Sequence, residues 1–351
     1  MTIESSPMPA SVSEAGEGRM RAVVRARYGL PDVLEVADAD VPSPKRREVL
    51  VEVGAASVHP GDAFVMAGRP VLVRLVFGLR RPRHPTPGMD LAGVVAAVGA
   101  DVTSLRVGDR VFGWTGRGAL AEYAVVREDH LAPIPENVTV EQAAVAPTSG
   151  MAALQALRDV AGIRSGQRLL VVGASGGVGS FAVQIGKAYG AEVTGVCSTA
   201  NTELVRSLGA DNVIAYDACD VTASTARFDV ILDNVEAQPL AAMRRLLSPT
   251  GTLIPNSGHG GRWVGPLGRI IAARLRSAFT RQRLKPFTSL GTRDHLLAVA
   301  ELLRRGQVTP VIGDVFAFED AADALRQVAT GHTRGKVVIA VRRHASHTTT
   351  K

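Results

Sequence analysis

The chain has 351 residues, of which 46% are hydrophobic, 21% charged and only 4% aromatic. That length exceeds one small core and fits about two domains, while the hydrophobic share excludes a disordered chain. The net charge of +7 raises the question of an anionic partner. Its placement narrows the answer. Arg69, Arg74, Arg80, Arg81 and Arg83 lie in a stretch without an acid, and so do Arg262, Arg269, Arg274, Arg276, Arg281, Arg283 and Lys285. The two stretches carry more than the whole surplus, so the remainder is mildly acidic.

Two cysteines, Cys197 and Cys219, exclude a disulfide framework and a C-x-x-C metal lobe, and they fit a reducing compartment. The first eighteen residues carry Glu4, Glu14 and Glu17 with no basic residue or apolar run. They are expected to form a tail rather than a leader, and the expected location is the cytoplasm. No run of eighteen uncharged apolar residues is present to suggest a membrane span.

From Met20 to about Ala144 the chain reads as short strands: Arg21–Val24, Val49–Val53, Gly93–Val98, Arg110–Phe112 and Tyr123–Val126. Turn-rich spacing of this kind predicts a small, irregular β-barrel. From Val145 the texture alternates between helix and strand, with strands expected at Arg168–Gly173, Glu192–Val196, Asn212–Ala215, Asp229–Leu232 and Gly251–Pro255. That pattern predicts a parallel sheet with crossover helices. Val311–Phe318 and Lys336–Val341 return to the β texture. The predicted organisation is a tail (1–19), a β domain in two parts (20–144 and 288–342), an α/β domain inserted between them (145–287) and a second tail (343–351).

Gly173-Ala-Ser-Gly176-Gly177-Val-Gly179 follows the apolar run Arg168–Val172 and precedes a helical pattern with Val178, Phe181, Ala182 and Ile185 on one face. Strand, glycine turn and helix in that order predict a dinucleotide-binding unit rather than a purely structural turn, although Ala174 takes the place of the first glycine of G-x-G-x-x-G. The turn lets backbone approach a pyrophosphate, whose charge rests on free N–H groups at the helix start. Ser175, Gly176, Gly177, Val178 and Gly179 are therefore candidate cofactor residues. An NAD site wants a carboxylate about 20 residues further on. Val196-Cys-Ser-Thr-Ala-Asn201 offers none, so Ser198, Thr199 and Asn201 favour NADPH over NADH.

At this point the residues resemble a family. Ala56-Ser-Val-His-Pro-Gly-Asp62, Pro87-Gly-Met-Asp-Leu-Ala-Gly93, Val107-Gly-Asp-Arg-Val111, the glycine turn, Leu208-Gly-Ala-Asp211 and Gly335-Lys-Val-Val338 are similar to the medium-chain dehydrogenase/reductases. The likeness is to their zinc-free quinone oxidoreductase (zeta-crystallin-like) branch. The resemblance implies an α/β architecture in which a GroES-like β-barrel catalytic domain is split around a Rossmann domain. It implies hydride transfer from NADPH to a quinone or an α,β-unsaturated carbonyl.

Members with zinc carry a Gly-His-Glu set where this chain has Gly88-Met89-Asp90, and neither cysteine falls in the catalytic domain. No metal is expected. The tyrosines found near the acceptor in related enzymes are missing, since those positions read Phe64 and Pro70. The proton donor is then open between His59 and solvent, and His59 is equally readable as a hydrogen-bonded corner residue. Asp62 either orients His59 or caps a helix starting at Ala63. Thr148 either supplies a hydroxyl beside the nicotinamide, where the family often has threonine at the position of Ala152, or caps the following helix. Tyr216 resembles a tyrosine near the adenosine phosphate. Asn234 lies on the expected cofactor face in Asp233-Asn-Val-Glu236, where Glu236 has no account.

The two arginine-rich stretches are interleaved with apolar residues, among them Leu267, Ile270, Ile271 and Leu275 at helical spacing. They read as lids over a hydrophobic acceptor, as peripheral membrane contacts, or as solvated surface. No nucleic-acid partner is expected, because aromatics are sparse and no recognition motif is present. A homodimer is the expected assembly. The competing function is a non-catalytic nucleotide-binding or scaffolding protein of the same fold.

Overall fold

Strands β1 (Arg19–Val24) and β2 (Glu35–Asp40) pair antiparallel as a two-stranded ribbon. The second of these is not legible in the sequence, because Glu35, Asp38 and Asp40 are poor strand formers held on a solvated edge. The structure, a computed structural model, describes residues 18–69, 71, 73–116, 118–256, 281–286, 289–331 and 333–342.

The long strand β3 (Glu48–Val58) follows, then helix α1 (Pro60–Ala67) and a short helix α2 (Val73–Phe77). Strands β4 (Asp90–Val98), β5 (Arg110–Trp114), β6 (Tyr123–Arg127) and β7 (Leu131–Pro133) complete the first lobe. β3 pairs with both β4 and β6, so the sheet curls around Val51, Val53, Leu91, Val111 and Val126.

Helices α3 (Val140–Ala144) and α4 (Pro147–Leu154) lead into the second lobe, and α4 continues as a π-helical stretch, Gln155–Ala161. β8 (Arg168–Val172), α5 (Gly177–Ala188), β9 (Glu192–Cys197), α6 (Thr202–Ser207), β10 (Asn212–Ala215), β11 (Phe228–Asp233), α7 (Leu240–Arg245), β12 (Leu247–Pro255) and β13 (Arg283–Leu284) follow in turn. All pairings are parallel, in the order β10-β9-β8-β11-β12-β13. This is the doubly wound arrangement expected of a dinucleotide fold.

Helix α8 (Arg293–Arg304) then leads back to β14 (Ile312–Ala317), α9 (Ala321–Ala329) and β15 (Lys336–Ala340). β15 pairs antiparallel with β3 and returns the chain to the first sheet. The barrel is thus split around the parallel sheet. One apolar cluster runs from Ala92 and Phe112 in the barrel, through Met151 and Leu154 of α4, to Leu169 and Val171 of β8. The lobes share a core and do not merely touch.

Candidate active site between the lobes

The glycine turn follows from close approach. Gly173 takes φ 74°, and a Cβ at Gly179 would stand 2.0 Å from the Gly173 carbonyl oxygen. Only glycine lets α5 begin so near β8. Gly176 occupies the N-cap of α5 in extended conformation, Gly177 opens the helix, and Val178 lies half-buried behind them. The α5 N–H groups before the first helical turn are the donors a pyrophosphate would take.

The barrel lobe reaches over this turn. Gly335, at φ 60°, donates its N–H to the Ser175 carbonyl at 2.7 Å and forms a bridge with Gly176. Lys336 follows with only 3% exposure, and its Nζ lies 3.5 Å from Asp90 Oδ2 with no hydrogen-bond partner. A Cβ on Gly177 would sit 3.0 Å from Lys336 Cδ and 3.3 Å from Ser149 Oγ. A buried ammonium with unspent donors beside a glycine turn suits the diphosphate of a dinucleotide. The sequence had shown Lys336 only as part of a motif. A lysine opening an otherwise apolar strand was the available signal.

Thr148 is not a helix cap. The N-cap of α4 is Ala146, and Thr148 Oγ1 donates to Asp90 Oδ1 at 2.5 Å. The threonine therefore fixes the carboxylate that faces Lys336, and whatever hydroxyl it offers a cofactor is already shared with Asp90.

His59 and Asp62 form a reciprocal cap on α1, which starts at Pro60 and not at Ala63. Gly61 N–H donates to His59 Nδ1 at 3.0 Å, and His59 N–H donates to Asp62 Oδ2 at 2.9 Å. Accepting at Nδ1 assigns the ring proton to Nε2, 3.5 Å from Asp62 Oδ2. Burial, assisted by the Lys336 charge, lowers the His59 pKa to about 4, while burial raises that of Asp62 to about 6. The imidazole is then neutral near pH 7, which weakens the case for His59 as proton donor. Asp62 is the member of the pair that holds a proton closer to neutrality.

Asp62 also lines a cavity of about 30 Å³ with Arg25, Phe77, Met89 and His84. A larger cavity of about 380 Å³ lies on the barrel around Met20, Pro42, Tyr123 and Val125. Neither cavity touches the glycine turn or Lys336, and of the two only the smaller is lined by Asp62. Phe77 comes from the first arginine-rich stretch. That stretch is held down where Tyr28 Oη donates to the Gly78 carbonyl at 2.6 Å and the Arg74 guanidinium sits 4.7 Å above the Tyr28 ring. Residues 262–280 of the second stretch, with Leu267, Ile270, Ile271 and Leu275, lie outside the described residues.

At the far end of the cleft the case for NADPH changes. Asp217, just past β10, accepts from Thr199 N–H at 2.9 Å and from Thr199 Oγ1 at 2.8 Å. A carboxylate thus stands at the corner that the sequence around Val196–Asn201 left without one. Ser198 Oγ accepts from Asn201 Nδ2, and the Tyr216 side chain is exposed. Asn234 is committed elsewhere: its Nδ2 donates to the Val172 carbonyl and its Oδ1 accepts from Asn256 Nδ2, joining β8, β11 and β12 at their ends. Glu236 now has an account. It takes φ 56° in a turn closed by Asp233 Oδ1, which accepts from the Val235 and Glu236 N–H groups.

No three His, Cys, Asp or Glu side chains gather as a metal-ligand set among the described residues. Asp90, the acid of Gly88-Met89-Asp90, is paired with the Lys336 ammonium, an unsuitable neighbour for a second cation. No helix among the described residues is long and apolar enough to cross a membrane.

Comparison with known proteins places this geometry in context. The family model described as Alcohol dehydrogenase GroES-like domain matches residues 45–136, and that described as Zinc-binding dehydrogenase matches residues 208–339. A chloroplast envelope quinone oxidoreductase homolog from Arabidopsis thaliana is 32% identical over 322 residues, covering 87% of this chain and 93% of the relative. The mitochondrial NAD(P)H oxidoreductase RTN4IP1 of Bos taurus is 36% identical over 328 residues, covering 84% of this chain and 82% of its own length. Among solved structures, the quinone oxidoreductase from Coxiella burnetii superposes with a TM-score of 0.81 at 28% identity, covering 93% of this chain and 100% of that one.

Proposed function

The chain belongs to the medium-chain dehydrogenase/reductase superfamily, in its quinone oxidoreductase branch, and from that premise we propose a metal-independent reductase of quinones or α,β-unsaturated carbonyls. The observation that carries the reading is the buried Lys336 ammonium, unbonded and set against Gly177 of the glycine turn. Lys336, Ser149 and the α5 N-terminus would hold the diphosphate, which directs the nicotinamide toward Thr148 and Asp90. When bound, that group supplies the hydride. Asp62 delivers the proton to the reduced acceptor, and Phe77 and Met89 exclude water around it.

The cavity beside Asp62 has room for about one water. A quinone enters only if α2 and the residues after it lift away, so the first arginine-rich stretch works as a lid. The exposed Leu75 and Leu79 on this lid give a greasy acceptor or a lipid surface its first contact. The active unit is the cleft between the split barrel (20–144 and 288–342) and the inserted domain (145–287), in a homodimer.

Fluorescence titration with NADH and NADPH, followed by oxidation assays on a quinone and enone panel, tests the proposal. Binding with turnover on the panel supports it. Failure of both nucleotides to bind at millimolar concentration overturns it, and stoichiometric metal in the purified protein overturns its metal-independent part. Binding without turnover on any acceptor points to the non-catalytic alternative.

A further inference from the structure

The parallel register sets the ends of β9 and β10 side by side. Ala215 lies opposite Cys197, and Tyr216 N–H donates to the Cys197 carbonyl at 2.9 Å. In a dinucleotide fold the strand after the glycine turn and its crossover helix, here β9, ends at the adenosine ribose, where an acidic residue holds the 2′-hydroxyl. β9 itself ends at Cys197, Ser198 follows, and neither is an acid. Its neighbour does, one residue after Tyr216.

Asp217 is fixed there by three contacts to one residue. Oδ1 accepts from Thr199 N–H at 2.9 Å and from Thr199 Oγ1 at 2.8 Å, and Oδ2 accepts from the same N–H at 3.1 Å. The Thr199 hydroxyl bond, with the backbone N–H behind it, holds the carboxyl below its ordinary range, so the group is ionised at neutral pH. The same contacts use up the two Thr199 donors that a 2′-phosphate would need. Ser198 Oγ is likewise engaged as an acceptor from Asn201. A cation among the described residues shares the corner. The charges of Asp217 and of Arg206, on α6, both act on the Cys197 thiol.

We propose that Asp217 sets the cofactor preference of this chain, accepting from a ribose 2′-hydroxyl and repelling a 2′-phosphate, so that NADH binds more tightly than NADPH. The role usually taken by an acid at the end of the strand that bounds the ribose has moved to the turn after the strand beside it. The inference rests on the proposed nucleotide-binding reading and deepens it.

Equilibrium titration of the full chain with NADH and with NADPH, read by nucleotide fluorescence, gives the test without any turnover. The wild type is expected to bind NADH at least tenfold more tightly. Asp217→Asn keeps an oxygen for Thr199 and removes the charge. It should tighten NADPH at least tenfold while leaving NADH within about threefold. Asp217→Ser, which needs no partner at this exposed site, should shift the ratio the same way and guards against a fold defect in the first variant. Equal or tighter wild-type binding of NADPH overturns the inference while leaving the nucleotide site intact, and in that case Arg206→Ala should weaken NADPH. An unchanged ratio in both Asp217 variants also overturns it. If neither nucleotide binds, the wider functional reading falls together with this one.

Discussion

Lys336 Nζ stands 3.5 Å from Asp90 Oδ2, and the two side chains are 3% and 0% exposed. One residue opens the last strand of the barrel and the other opens β4, so the pair ties both to the glycine turn beside it. Removing one partner strands a buried charge, which typically costs 3–5 kcal/mol. Lys336→Met should therefore lower unfolding free energy by about 3 kcal/mol and weaken nucleotide binding at least tenfold. The double variant Lys336→Met/Asp90→Asn should regain most of the stability and none of the binding. Denaturant melts and nucleotide titrations on the same samples check this; recovery of binding in the double variant would contradict the assigned role.

Two glycines of the turn should respond differently to alanine. At Gly179 the added Cβ meets the Gly173 carbonyl at 2.0 Å, backbone against backbone. At Gly177 it meets the Lys336 Cδ at 3.0 Å, a flexible stem. Gly179→Ala should cost about 3 kcal/mol or more, or fail to yield folded protein. Gly177→Ala should fold with a loss of about 1 kcal/mol and show its main defect in nucleotide affinity.

His59 and Asp62 should leave opposite marks on stability against pH. With its pKa lowered from 6.5 to about 4, His59 is neutral when folded and charged when unfolded between those values. The unfolded state then binds more protons, and stability rises with pH across that window. Asp62, raised from 3.8 to about 6, keeps its proton when folded and loses it when unfolded, so stability falls with pH between those values. Each contribution is about 3 kcal/mol, and the wild type should be nearly flat from pH 4 to 6. Asp62→Asn should expose the rising slope, and His59→Asn, which can still cap α1, the falling one. Urea melts at several pH values measure both slopes; parallel slopes in the two variants would refute the assignment.

If Asp62 is the proton donor, the acid form fades as pH rises through about 6. Turnover limited by protonation should fall above that pH in the wild type. His59→Asn should leave the inflection in place, and Asp62→Asn should abolish it. An inflection that follows His59 instead would return the donor role to the imidazole.

Glu236 holds φ 56°, where a side chain costs roughly 1 kcal/mol relative to glycine. Glu236→Gly should raise stability by a few tenths to about 1 kcal/mol, as read by melting temperature. Asp233→Ala, which removes the acceptor that closes this turn, should do the reverse.

The parts legible in the sequence are those set by local pattern. Arg168–Val172, the glycine turn and the apolar face of α5 announce themselves because strand burial, close approach and helical period are all short-range. The ribose corner was not legible. Thr199 and Asp217 meet only because β9 and β10 pair in one register, and a scan of the β9 end alone sees no acid. The same holds for Thr148, whose partner Asp90 lies in another lobe, and for Lys336, whose stem lies against Gly177 of the other lobe. Asp62 was visible as a cap, but its position three residues into the helix depends on Pro60 opening α1 after His59.

The Gly335–Ser175 bond and the continuous core from Phe112 to Leu169 bear on traffic through the molecule. Swinging the lobes apart would break that bond, strip the apolar seam and bare the Asp90–Lys336 pair to water. Among the described residues, lifting the five-residue helix beside Asp62 disturbs the Arg74–Tyr28 stack and the part-buried bonds from Tyr28 to Gly78 and from Arg74 to Gly68. On the proposed function, an acceptor would therefore come and go by a side door, while the frame assigned to the nucleotide stays shut.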